Sequence, residues 1–152
     1  MNVIDRPQVG EVLVLTRRFK APRALLFRLW TRPEHIVRWW GCAETATVDF
    51  RNDLRPGGDF VAEMTLQGGV VHRIWGTYRE IAEPERLVFT WSWENPEFAG
   101  GDTLVTVTFE EAGDETELTL RHEAFAEAEA RDLHGLGWSA SLDRLEGALA
   151  ER

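Results

Sequence analysis

The chain has 152 residues (17.4 kDa), of which 43% are hydrophobic and 28% charged, and its formal net charge is −9. That length and composition suit one folded domain burying about 68–70% of its unfolded-state surface, and they are not those of a disordered segment. Apolar runs such as 12–15 and 87–89 fall far short of the ~20 residues that span a bilayer. The 26 acidic against 17 basic residues lack the basic footprint that nucleic acid requires.

The N-terminal MNVIDRPQVG has no apolar segment behind a basic start, so no secretory signal is expected. The single cysteine, Cys42, cannot form an internal disulfide, and a reducing cytoplasm is the expected compartment. Seven Trp and eight Phe against one Tyr make an almost wholly apolar aromatic set, which suits an interior or an apolar pocket.

Residues 9–20 read as a first strand, with Leu13, Leu15 and Phe19 on one face at period two. Pro22 suits a helix start, and Leu25, Leu26, Leu29 and Trp30 follow at helical spacing to an end near Thr31. Thr31 and Glu34 stand in capping-box spacing, which predicts a second short helix through His35 to Trp40, stopping at Gly41. Six further strands are predicted near 44–52, 58–67, 70–82, 86–94, 103–111 and 115–122. The turn formers at 55–58, 67–69 and 111–114 imply short, antiparallel connections.

Alternation sorts the faces. Leu87, Phe89, Trp91 and Trp93 share one side of their strand, as do Val105, Val107 and Phe109, and then Leu118, Leu120 and His122. A sheet with one apolar face needs a cover. The cover is the stretch 126–150, where Trp138, Leu142, Leu145 and Leu149 recur at helical spacing and Gly135 and Gly137 imply either a bend or a close approach. The acidic run 123–129 suits the positive end of that helix.

A strand, two short helices, six antiparallel strands and a long C-terminal helix form an α+β domain. The runs FKAPRALLFRLWTRPEHIVRWWG, RPGGDF, GTYREIAEPERLVFTWSW, TVTFEEAGDETELTLRHEAF and GWSASLDRLEGAL resemble the START-like, or SRPBCC, superfamily over roughly 10–150. Within it the chain is most similar to homologues of the activator of the heat-shock chaperone ATPase. The resemblance implies a helix-grip fold: a curved antiparallel sheet of about seven strands wrapped around the C-terminal helix, with an apolar cavity between them. It further implies an apolar small-molecule ligand or, by the branch name, a chaperone partner.

On that resemblance the ligand-binding residues are Trp39, Trp40, Met64, Trp75, Trp91, Trp93, Phe125, Leu133 and Trp138. The same aromatics could simply fill the core, since a dry 300 Å³ void would cost on the order of 7 kcal/mol. His122 is either a hydrogen-bonded core histidine or a polar anchor for a ligand. Arg73, on the strand face of Trp75, is a second anchor if that face is the inner one, and otherwise an ion-pair partner at the sheet edge. The connection 94–101 with Phe98 is expected to be a mobile loop at the cavity mouth.

Chemistry is sparsely signalled. His35, His72, His122 and His134 lack metal-site spacing, so neither metal nor cofactor is expected. Cys42 follows a helix end, where the dipole does not activate a thiol. Glu63, Glu94 or His122 would serve a cyclase or hydrolase only if they enter the cavity. No catalytic residue is assigned, and a homodimer is compatible with the sequence.

Overall fold

A computed structural model describes residues 11–95 and 102–150. In β1 (Glu11–Phe19), Leu13, Leu15 and Phe19 turn inward while Val14, Thr16 and Arg18 are exposed. Pro22 precedes α1 (Arg23–Thr31), which buries Leu26, Phe27, Leu29 and Trp30. Arg32 then takes an extended conformation (φ −100°, ψ 126°), as the ring of a following proline demands, and breaks the helix.

The next helix, α2 (Pro33–Ile36), is a single turn, shorter than the sequence suggested. The predicted capping box does not form, because Thr31 is still inside α1 and spends its hydroxyl on the Phe27 carbonyl at 2.9 Å. Arg32, which makes no side-chain cap, occupies the N-cap position instead. Residues 37–40 continue as turns that deliver Trp39 and Trp40 into the core.

Six strands follow: β2 (Thr45–Asn52), β3 (Asp59–Leu66), β4 (Val71–Ala82), β5 (Arg86–Trp93), β6 (Thr103–Ala112) and β7 (Glu115–Phe125). All neighbours pair antiparallel in the order β1-β7-β6-β5-β4-β3-β2. The first two strands therefore lie at opposite edges of one open, curved sheet, and α1 and α2 carry the chain between them. Gly113 turns the β6–β7 hairpin with φ at 69°, a conformation that costs a residue without Cβ little.

The chain closes with α3 (Ala128–Ala150), continuous over 23 residues and resting on β1 and β7. Neither glycine breaks it. Gly135 lets the helix close on β1, since a Cβ there would lie 3.3 Å from Leu13 Cδ1. The acidic run is divided: Glu123 belongs to β7 and pairs with Arg121, whereas Glu129 sits in the first turn of α3. The dipole argument therefore covers only part of it.

This is the helix-grip architecture that the motifs predicted. Its core runs from Phe19, Phe27 and Phe109 under α1 to Phe50, Phe60 and Phe89 between the far strands. Phe60 lies against Gly76, where any Cβ would stand 2.5 Å from the ring and 1.9 Å from the Thr90 carbonyl oxygen.

Candidate ligand-binding site

Because α3 is seated on the β1–β7 half of the sheet, a gap remains between it and the β3–β5 half. The gap is a cavity of about 240 Å³. Met64 and Leu66 of β3, His72 and Ile74 of β4, and Trp91 and Trp93 of β5 form its sheet wall. Leu133, His134, Gly137, Trp138 and Ser141 form the helix wall, and Trp40, Gly41 and Cys42 close one end. These helical positions recur at three- and four-residue spacing, so they share one face of α3.

The indoles brace one another. Trp40 stacks on Trp91 with centroids 5.4 Å apart, Trp91 meets Trp138 at 5.0 Å, and Trp93 stands edge-on to Trp91 at 6.1 Å. Such pairs add about 0.5–1.5 kcal/mol each beyond their burial. Gly137 carries no side chain, and a Cβ there would meet nothing within 4 Å. The absence of that side chain is therefore part of the cavity's volume.

Most polar groups around this wall are bonded to one another, while Trp91 Nε1 is buried without a hydrogen-bond partner. His134 donates its Nδ1 hydrogen to the Ala130 carbonyl at 2.8 Å and accepts at Nε2 from Trp93 Nε1 at 2.7 Å. Both nitrogens are thus in use, and the second bond ties the end of β5 to α3. Ser141 accepts from the Gly41 amide at 3.1 Å and returns its own hydrogen to the Gly41 carbonyl at 2.6 Å. Gly41 has φ at 124°, and a Cβ would collide with Thr45 Oγ1 at 2.6 Å, so this lock requires glycine. Thr45 Oγ1 donates to Met64 Sδ and receives the Cys42 thiol.

Behind the wall lies a sealed relay. Trp138 Nε1 donates to His122 Nδ1 at 3.0 Å, so the ring hydrogen resides on Nε2 and reaches Thr103 Oγ1 at 2.7 Å. Thr103 passes its own hydrogen to the Trp91 carbonyl at 2.9 Å. Burial holds the His122 imidazole well below its ordinary pKa, with nearby His134 adding to the effect. Burial also lowers His134, opposed by its bond to Ala130. Both rings are therefore neutral near pH 7.

Residues 20–150 match the family described as activator of Hsp90 ATPase homolog 1-like protein. The chain belongs to this family. Solved structures share this fold over most of the chain. Protein CV1439 from Chromobacterium violaceum is 24% identical, with a TM-score of 0.80 over 90% of this chain and 94% of its own. An Arthrobacter aurescens protein is 21% identical, with a TM-score of 0.83 over 97% of this chain and 91% of its own. CalU16 from Micromonospora echinospora is 28% identical, with a TM-score of 0.71 over 91% of this chain and 76% of its own. The first two likenesses establish the START-like helix-grip fold alone. Comparison with curated proteins returned no match.

Within this family member, the residues singled out from sequence divide. Trp40, Met64, Trp91, Trp93, Leu133 and Trp138 meet at the cavity, with Leu133 59% exposed at its rim. Trp39 does not line it: it is buried between α1 and the core, with Nε1 donating to the Leu29 carbonyl at 2.8 Å. Phe125 is likewise sealed behind, packed on His122 and His134 at 4.4 and 4.7 Å. His122 is the hydrogen-bonded core histidine and makes no part of the wall.

Arg73 and Trp75 lie on the outer face of β4, because Ile74, Gly76 and Tyr78 take the inner phase. Trp75 is 41% exposed, and Arg73 binds Glu63 at 2.6 Å and Glu94 at 2.9 Å. The two carboxylates considered for acid–base work are therefore engaged outside the cavity. The connection with Phe98 lies outside the described residues. Sequence reading missed Gly41, Cys42, Leu66, His72, Ile74, His134, Gly137 and Ser141 as wall residues. His134 and Gly137 carried a usable signal, at helical spacing from Trp138 and Ser141, as did Ile74, in the apolar phase of β4. Among the described residues, no group of three or more His, Cys, Asp or Glu is placed to hold a metal ion, and no helix is long and apolar enough to cross a membrane.

Proposed function

We propose that this chain binds an apolar small molecule between the sheet and α3, without covalent chemistry. The observation that carries this reading is the indole-walled cavity of about 240 Å³. The cavity opens past Leu133, which is 59% exposed, so without a guest its apolar wall faces water. Water is poorly held there, since His134 and Ser141 are already bonded to other groups of the protein. An apolar guest displaces that water and takes the wall out of contact with solvent.

A guest that binds only the folded chain raises stability by about 2.7 kcal/mol at one hundred times its Kd. For a domain of this size that is roughly 5–10 °C in Tm. Apolar aromatics are expected to produce such a rise, and Gly137→Leu, which places a side chain in the cavity, is expected to abolish it while leaving the protein folded. A panel of apolar compounds with no effect on wild-type Tm would overturn the reading. The family description supports a second reading, stimulation of a chaperone ATPase. An ATPase assay with and without this protein tests it independently of the ligand.

A further inference from the structure

We infer that the guest is an uncharged, flat, two-ring aromatic of about ten ring atoms; this rests on the cavity being a binding site. Three features of the wall lead there: its volume, its charge and its ring geometry.

The volume sets the size. A cavity of roughly 150 Å³ walled by aliphatic and aromatic side chains takes up benzene, so about 240 Å³ scales to about ten ring carbons. A single ring would leave much of the volume unfilled, and a four-ring sterol-like skeleton exceeds it.

The wall sets the charge. No Asp, Glu, Lys or Arg lines the cavity among the described residues. Of the hydrogen-bonding groups in the wall, His134 is committed through both nitrogens and Ser141 in both directions to Gly41, His72 stands edge-on to Trp93 at 5.9 Å, and Trp91 Nε1 is left as a neutral donor without a partner. An ionised carboxylate or ammonium would give up part of its hydration on entering and find no Asp, Glu, Lys or Arg in the wall to replace it.

The rings set the shape. Trp40, Trp91, Trp93 and Trp138 surround one space at mutual tilts from 24° to 76°, presenting both faces and edges. A planar guest can stack on one and meet another edge-on, gaining about 0.5–1.5 kcal/mol per ring pair beyond area burial. Met64 adds a polarizable thioether to the same wall. A linear chain of equal carbon count buries similar area but makes no ring pairs and must freeze several rotatable bonds.

The test is equilibrium dialysis of wild-type protein against naphthalene, 1-naphthoate and 1-decanol, which match in carbon skeleton size and differ in charge or shape. Naphthalene is expected to bind at least tenfold more tightly than 1-decanol and at least a hundredfold more tightly than 1-naphthoate. Gly137→Leu is expected to weaken naphthalene binding at least tenfold with no loss of Tm. If 1-decanol binds as tightly as naphthalene, the ring requirement is wrong and the binding reading stands. If 1-naphthoate does, the neutrality requirement is wrong. If naphthalene binds wild-type protein and Gly137→Leu equally, the site lies elsewhere, and if none of the three binds, this inference and the proposed function fall together.

Discussion

At the scale of single residues, two histidines show how far alternation reaches. His122 follows Leu118 and Leu120 in phase, so the sequence alone put it on the apolar face. Its partners Thr103 and Trp138 come from β6 and α3, and no local pattern names them. The position of His134 was readable from its spacing to Trp138, but its role was not, since that depends on Trp93, 41 residues away in sequence. Both rings are neutral in the fold, and their pKa values lie below those of the unfolded chain. Between the folded values and about 6.5 the unfolded chain therefore binds more protons, and stability falls as pH falls through that window. The loss reaches about 1.4 kcal/mol per pH unit for each histidine. Urea unfolding at pH 7.5, 6.5 and 5.5 is expected to show a flat upper half and a descending lower half. His122→Gln, which can still accept from Trp138 and donate to Thr103, is expected to shallow the descent. Equal stability at pH 7.5 and 5.5 would contradict the neutral-pair account.

At the scale of elements, the predicted strands, hairpins and long helix were legible because each is written in period and punctuation. The phase of β4 was not taken correctly for Trp75, which was put on the wall, and was left open for Arg73, whose alternative as an ion-pair partner is the one the fold shows. Ile74 and Tyr78 share a phase with Gly76, while Arg73 shares one with Thr77, so the polar phase was readable had the arginine been weighed above the indole. The helix break also had a local cause, Arg32 before Pro33, that outweighs the capping-box spacing. Gly135 and Gly137 of α3 give a differential prediction. At Gly137 an added Cβ meets open space, so Gly137→Ala is expected to raise stability by about 1 kcal/mol through helix propensity. At Gly135 the same Cβ lies 3.3 Å from Leu13, so Gly135→Ala is expected to gain less or to lose. Denaturation midpoints of the two variants, measured side by side, check it; equal gains would show that α3 does not bear on β1 as closely as described.

At the scale of the molecule, the proposed function rests on an asymmetry of packing. One long helix cannot cover both halves of a seven-stranded curved sheet, and α3 is committed to the β1–β7 half. The aromatic residues fill the space under the other half only in part: Trp40, Phe50, Phe60 and Phe89 leave about 10 Å³ among themselves, whereas about 240 Å³ remains beside Trp91 and Trp93. Motifs spread along the chain made the fold and family readable. The cavity's actual wall was only partly readable, because which indoles plug the core and which face the gap depends on where α3 comes to rest. Native mass spectrometry of the purified protein, compared with its denatured mass, tests the central claim most directly. A reproducible extra mass of an aromatic small molecule that leaves on denaturation, and that is missing from Gly137→Leu, is the predicted result. A bare mass for wild-type protein even after incubation with naphthalene would contradict it.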